Sequence, residues 1–211
     1  MIKPLILPKL YAIVDVTCFS PQLRTTLSIT EFARDLAEGG VTLMQYRNKE
    51  GDTRQMLTHA REIKRVLEGK VQLIMNDRAD IAVAMDYAGV HLGQDDLPAE
   101  AGRMVVGSDR IVGISTHNPQ QVSDADASSA DYIAIGPVFP TTGKKNPDTV
   151  VGLEGVRKAR ELTKKPLVAI GGITRQNAKI VIEAGADSVA VISDLLGAPT
   201  RAAEEFQRIL V

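Results

Sequence analysis

Only one cysteine, Cys18, occurs in the 211-residue chain. No disulfide can close within the chain, and a reducing compartment is expected. An excess of charge of either sign is also missing: 25 basic and 26 acidic side chains leave a net charge of −1. That balance argues against a nucleic-acid-binding surface and against a polybasic membrane anchor. No apolar run approaches the roughly 20 residues that a membrane-spanning helix needs. The first ten residues carry a positive charge and some apolar side chains, but Pro4 and Pro8 interrupt them and no small-residue cleavage site follows, so they do not read as a secretory leader. No Gly-x-Gly-x-x-Gly follows the first strand-like run, which removes the support for a dinucleotide-binding fold. Linkers and low-complexity tracts are lacking too. With 44% hydrophobic residues, one cytoplasmic globular domain spanning residues 1–211 is expected.

What is present is a regular alternation. Short apolar runs at Leu10–Val14, Val41–Tyr46, Gln72–Met75, Gly89–Leu92, Ile111–Ile114, Asp131–Ile135, Pro166–Ile170 and Ser188–Ile192 read as strands. Between them lie helical patterns: Ile29, Phe32, Ala33 and Leu36 recur at helical spacing before Gly39-Gly40, and Met56, Ala60, Ile63 and Leu67 mark one face of a longer helix. Further helices are expected near 79–88, 98–106, 119–129, 155–163 and 175–184, and a closing helix carries Ala202, Phe206, Ile209 and Leu210. This gives eight β/α units of about 25 residues each, with strands apolar on both faces. The fold class is α/β, a (β/α)8 TIM barrel; an open doubly wound sheet is the alternative.

Residues just beyond each barrel strand build the active site in such folds, so these positions are read together. Gln45, Arg47 and Lys49 alternate along an extended segment and point the same way, a set suited to a multiply charged anion such as a diphosphate, or else a solvated basic loop. The next two strands end in Asn76-Asp77-Arg78 and Gln94-Asp95-Asp96. Carboxylates from neighbouring strands suit Mg²⁺, which takes one or two of them and completes its shell with water and substrate phosphate. The alternative for Asp77 is a helix cap. His91, inside Val-His-Leu, reads as a packed core residue. Ser115 and His117 invite a hydrolase reading, but no orienting acid accompanies them; Ser115 is assigned to phosphate binding and His117 is left open. The long stretch Gly136–Val151 carries Thr141, Thr142, Gly143, Lys144 and Lys145, an anion clamp or lid, or a plain surface loop. Gly171-Gly172-Ile173-Thr174 and Ile192-Ser193-Asp194 place backbone N–H groups at two helix starts, as in the phosphate sites of barrels. Two phosphate sites, one with a metal, point to two substrates meeting over the barrel mouth.

In order, these motifs resemble thiamine-phosphate synthase over nearly the whole chain: Tyr11–Asp15, Gln45-x-Arg47-x-Lys49, Asn76-Asp77-Arg78, Gly89–Asp96, Gly113–His117, Ile135–Thr141, Ala169–Thr174 and the Val191-Ile192-Ser193 strand end. The resemblance implies a transferase of thiamine biosynthesis that joins a hydroxymethylpyrimidine diphosphate to a thiazole phosphate and releases pyrophosphate. It implies that Gln45, Arg47, Lys49 and Asn76 hold the pyrimidine diphosphate, that Asp77 and Asp96 bind Mg²⁺, and that Ser115 and Lys144 contact the diphosphate. Thr141, Gly143, Gly172, Ile192 and Ser193 fall to the phosphate subsites by the same similarity. Arg47, Lys49, Ser115 and Lys144 are then the catalytic set, stabilising the departing pyrophosphate. Departures are Gly143, where the family usually has a second threonine, Asn48 in place of an acid, and Asp95 in place of Glu. Partners are small molecules, and assembly with further copies of the chain is left open.

Two rivals remain. A related thiazole tautomerase on the same barrel needs neither Mg²⁺ nor a diphosphate clamp, and retention of Asp77, Asp96, Arg47 and Lys49 argues against it. A non-catalytic sensor of thiazole or thiamine phosphate is the other.

Overall fold

The computed structural model describes residues 5–141 and 149–211. Among them, eight parallel strands close into a barrel in chain order: β1 (Leu10–Asp15), β2 (Leu43–Arg47), β3 (Gln72–Asn76), β4 (Gly89–Leu92), β5 (Ile111–Thr116), β6 (Tyr132–Ile135), β7 (Leu167–Ile170) and β8 (Ser188–Val191), with β8 pairing back onto β1. The intervening helices are α1 (Thr26–Glu38), α2 (Thr53–Leu67), α3 (Ala79–Ala84), α4 (Ala99–Val106), α5 (Pro119–Ala127), α6 (Gly152–Leu162), α7 (Ala178–Glu183) and α8 (Pro199–Ile209). The expected α/β barrel is therefore the observed one.

Strand alternation sorts the side chains into two cores. Tyr11, Ile13, Leu43, Ile74, Tyr132, Ala134, Val168 and Ala190 fill the barrel interior. The other parity, with Ala12, Val14, Met44, Met75, Val90, Ile133 and Val189, packs against the helix faces. Parallel register sets the height of each strand end: Asp15 pairs with Arg47 and Asn76 with His91. The polar residues that follow β2, β3 and β4 are thus carried to one rim. Among the described residues, no helix is long and apolar enough to cross a membrane.

Several boundaries differ from the sequence expectation for local reasons. α1 starts earlier, at Thr26, because the Thr25 hydroxyl accepts from the Ser28 amide. α3 stops at Ala84 rather than near residue 88; Asp86 takes a left-handed backbone (φ +50°), and buried Tyr87 donates to the Ala60 carbonyl. α7 begins at Ala178 rather than Arg175. There the Asn177 side chain accepts from the Thr174 amide at 2.7 Å and donates to the Gly172 carbonyl at 3.0 Å, closing a turn before the helix. Single 3-10 turns at Val16–Cys18, Pro21–Leu23 and Ser193–Leu195 carry too little periodicity to be seen in the sequence.

Candidate active site

The rim of β1–β3 carries two ion pairs, with a neutral contact beneath them. Arg47, at the end of β2, is ion-paired to Asp15, which ends β1 and is almost wholly buried. Asp15 is further held by the Thr17 hydroxyl, which donates to it at 2.7 Å. Lys49, two residues further on, reaches across to Asp77, Nζ to Oδ2 2.6 Å. Gln45 lies deeper, inside the barrel, and donates from Nε2 to the Tyr11 hydroxyl at 2.9 Å. The three residues climb one face of β2 as alternation requires, but each already has its own partner at a different height.

Asp77 does not cap α3. The cap position is Arg78, without a capping side-chain bond, while Asp77 adopts φ +61°. That left-handed backbone, strained for any residue with a Cβ, turns the carboxyl toward the loop after β4. Its amide donates to the His91 carbonyl at 2.8 Å, tying it to β4. In that loop Asp96 accepts from the Gly93 amide at 2.8 Å, and its carboxyl meets that of Asp77. Burial, then the neighbouring Asp96, pushes Asp77 up to about 6 against the opposing pull of Lys49. Burial works against ionisation of Asp96 as well, but Asp77, the Gly93 amide, Lys49 and His91 outweigh it and hold Asp96 below the usual carboxylate range. The pair accordingly shares negative charge that Lys49 alone does not neutralise. Beside it opens a cavity of about 330 Å³ lined by Asp77, Arg78, Ala79, Asp80, Asp96, Leu97 and Val105.

Next around the rim, Ser115 Oγ lies 2.8 Å from His91 Nε2, and His91 Nδ1 lies 2.8 Å from the Tyr132 hydroxyl. His91 is buried, as its sequence context suggests, and burial pushes it down to about 4. Ser115 therefore pairs with His91; His117 turns its Nδ1 to the Gly136 carbonyl at 2.6 Å. The Ser115–His117 hydrolase pairing is absent. Asn76, half-buried, ends β3 immediately before Asp77.

On the opposite side, Gly171 (φ +99°) and Gly172 (φ +63°) form the turn after β7. A Cβ on Gly172 would sit 2.6 Å from the Pro140 carbonyl, so only glycine lets this turn meet the loop after β6. The expectation that Gly172 opens a helix is corrected: the closed turn at Thr174–Asn177 intervenes before α7. Ser193 does begin a 3-10 turn, with its side chain exposed and Ile192 half-buried beside it. Arg175 braces the two turns, donating from its amide to Asp194 at 2.8 Å, from Nε to Asp194 at 2.9 Å, and also pairing with Glu205. Thr141 closes the described part of the β6 loop; Gly143 and Lys144 lie outside the described residues.

Arg175 and Tyr132 carry no local signal in the sequence. Tyr11 and Asp15 bound the first motif of the resemblance, but nothing local gives either of them a role. Asn48, at a departure from the family pattern, is buried and structural: its amide donates to Tyr46 Oη and Gln55 and accepts from the Glu50 and Gly51 amides.

The model of the family described as thiamine monophosphate synthase matches residues 10–195. The chain belongs to the thiamine monophosphate synthase family. A thiamine-phosphate synthase of Koribacter versatilis (strain Ellin345) is 58% identical over 210 residues, 100% of this chain and 99% of that relative. One from Methanosarcina barkeri (strain Fusaro / DSM 804) is 42% identical over 160 residues, 76% of this chain and 73% of the relative. Among solved structures, a thiamine phosphate pyrophosphorylase from Pyrococcus furiosus superposes with a TM-score of 0.83 at 35% identity, covering 96% of this chain and 95% of the other. Membership of the thiamine monophosphate synthase family makes the protein a transferase of thiamine biosynthesis, in accord with the resemblance read from its motifs.

Proposed function

We propose that the barrel mouth joins 4-amino-2-methyl-5-(diphosphooxymethyl)pyrimidine to a thiazole phosphate, giving thiamine phosphate and pyrophosphate. The observation that carries this reading is the carboxyl pair of Asp77 and Asp96 with Lys49 against it, while Arg47 ends the same strand in an ion pair with Asp15. Among the described residues no three His, Cys, Asp or Glu side chains cluster to hold a metal. Two carboxylates suit Mg²⁺ held jointly with water and a diphosphate, and suit a caged structural metal poorly. The negative charge that the pair carries beyond what Lys49 neutralises supports the same fit. Bound there, Mg²⁺ supplies charge stabilisation to the departing pyrophosphate.

The chain's own groups do the rest. Gln45 and Asn76 orient the pyrimidine, and Arg47, Lys49 and Ser115 bind the diphosphate oxygens. Lys144 and Gly143, from the loop after β6, add to that grip. The methylene–oxygen bond breaks with its electron pair leaving on pyrophosphate, and the thiazole ring nitrogen forms the new bond to that carbon. Gly172, Ile192, Ser193 and Thr141 seat the thiazole phosphate so that its nitrogen faces the methylene carbon. No enzymic nucleophile or strong base is needed, in keeping with the engagement of Ser115 by His91.

Mixing the purified protein with both substrates tests the reading. Equal amounts of thiamine phosphate and pyrophosphate are expected, with neither formed when one substrate is omitted. Isomerisation of the thiazole alone, without pyrophosphate, would favour the tautomerase instead.

A further inference from the structure

A chain of hydrogen bonds crosses the barrel interior beneath the mouth: Gln45 Nε2 to Tyr11 Oη at 2.9 Å, Tyr11 Oη to Tyr132 Oη at 3.1 Å, Tyr132 Oη to His91 Nδ1 at 2.8 Å, and His91 Nε2 to Ser115 Oγ at 2.8 Å. Tyr11 and Tyr132 are 1% exposed, so no water competes for their hydroxyls. Gln45 and Ser115, at the two ends, are assigned above to the substrate, and the three residues between them are buried.

With Gln45 as donor at the first link, one direction of the chain gives every hydroxyl proton an acceptor within it. Gln45 donates to Tyr11, so the Tyr11 proton has only Tyr132 to go to. The Tyr132 proton must then go to His91 Nδ1. His91 is consequently neutral, carries its proton on Nε2 and donates to Ser115 Oγ. Burial keeps both phenols protonated. With its oxygen already accepting from His91, Ser115 has its own proton left for the mouth. With one amide N–H spent on Tyr11, Gln45 keeps its carbonyl oxygen as an acceptor.

We propose that Tyr11, Tyr132 and His91 are positioning residues: they fix Ser115 as a donor toward the diphosphate and Gln45 as an acceptor toward the pyrimidine. This rests on the function proposed above and explains two otherwise odd features of the barrel interior. Gly113, between Val112 and Ile114 on β5, is required because a Cβ there would lie 2.0 Å from Tyr132 Cζ. The His91 ring also stacks on Tyr132 at a centroid distance of 5.5 Å and 21° between planes, fixing its tilt toward Ser115.

¹⁵N NMR of histidine-labelled protein tests the assignment, since the chain has three histidines and loss of one signal set in His91→Gln identifies His91. The expected result is a neutral ring protonated on Nε2. In Tyr132→Phe, which keeps the ring over Gly113, that single form should give way to a mixture of tautomers, and kcat should fall about tenfold with KM little changed. A ring protonated on Nδ1 in the unmodified protein overturns the proposal, and that measurement needs no variant to fold. So does a Tyr132→Phe protein in which the tautomer shifts while kcat does not. Because the tautomer is read without turnover, absence of synthase activity would strike the proposed function and the substrate roles built on it, while the direction of the hydrogen-bond chain is decided by the tautomer.

Discussion

Asp77, at the end of β3, and Asp96, in the loop after β4, bring their carboxyl groups together although one of them needs a left-handed backbone to do so. Two like charges meeting in a half-buried place are costly unless a proton or a cation lies between them. The tautomerase rival offers no use for that arrangement, and a Mg²⁺–diphosphate does.

Substitution at this pair should separate the two substrates. Asp96→Ala is expected to lower synthase turnover by about three orders of magnitude, the scale of losing charge stabilisation of the leaving group, while thiazole-phosphate binding by calorimetry stays within about twofold. Full turnover in Asp96→Ala would remove Asp96 from the metal site.

Gly172→Ala should produce the opposite pattern. Its φ of +63° and the 2.6 Å approach of the Pro140 carbonyl leave no room for a Cβ, so the turn must shift. Backbone strain alone costs about 1–2 kcal/mol, and the displaced N–H groups should weaken thiazole-phosphate binding at least tenfold. Binding of the pyrimidine diphosphate with Mg²⁺, measured in the same variant, should hold.

Arg175→Ala removes the brace between the turns after β7 and β8 without removing any group assigned to substrate. KM for the thiazole phosphate is expected to rise several-fold, with a smaller change in KM for the pyrimidine. An unchanged pair of KM values would mean that the turns hold their geometry unaided.

The response to acid has a definite sign. Burial lowers His59 and pushes His91 down to about 4. As pH falls below about 6.5 the unfolded chain takes up these protons first. Their contribution to stability is whole above that pH and lost toward pH 4. Asp77, raised to about 6, works the other way: its folded form takes up a proton first, which offsets part of the loss between about pH 6 and 4. Urea midpoints measured from pH 7 to 4 should therefore decline less steeply in His91→Gln and more steeply in Asp77→Asn than in the unmodified protein.

Much of the architecture was legible because its signals are local. The strands from Leu10 to Ile192 are short apolar runs with turn residues at their ends, and β4 was bounded correctly at Gly89–Leu92. The rim was legible for the same reason: Asp77, Asp96, Arg47, Lys49 and Ser115 all fall at or beyond the C-terminal ends of strands, which barrel topology gathers at one mouth. What stayed hidden depends on pairs distant in sequence. Arg175 finds Asp194 and Glu205, Asp15 finds Arg47, and Tyr11 finds Tyr132 only once the barrel closes. The start of α7 was misplaced because the Thr174–Asn177 turn imitates a helix start in sequence while its side chain postpones the helix.

The most direct measurement of the central claim is pyrophosphate release from the two substrates by chelator-stripped protein, before and after Mg²⁺ is restored. Release that disappears with the chelator and returns with Mg²⁺ in the unmodified protein, but not in an Asp77→Asn, Asp96→Asn double variant, is the predicted result. Release that continues undiminished in the chelator would contradict the account.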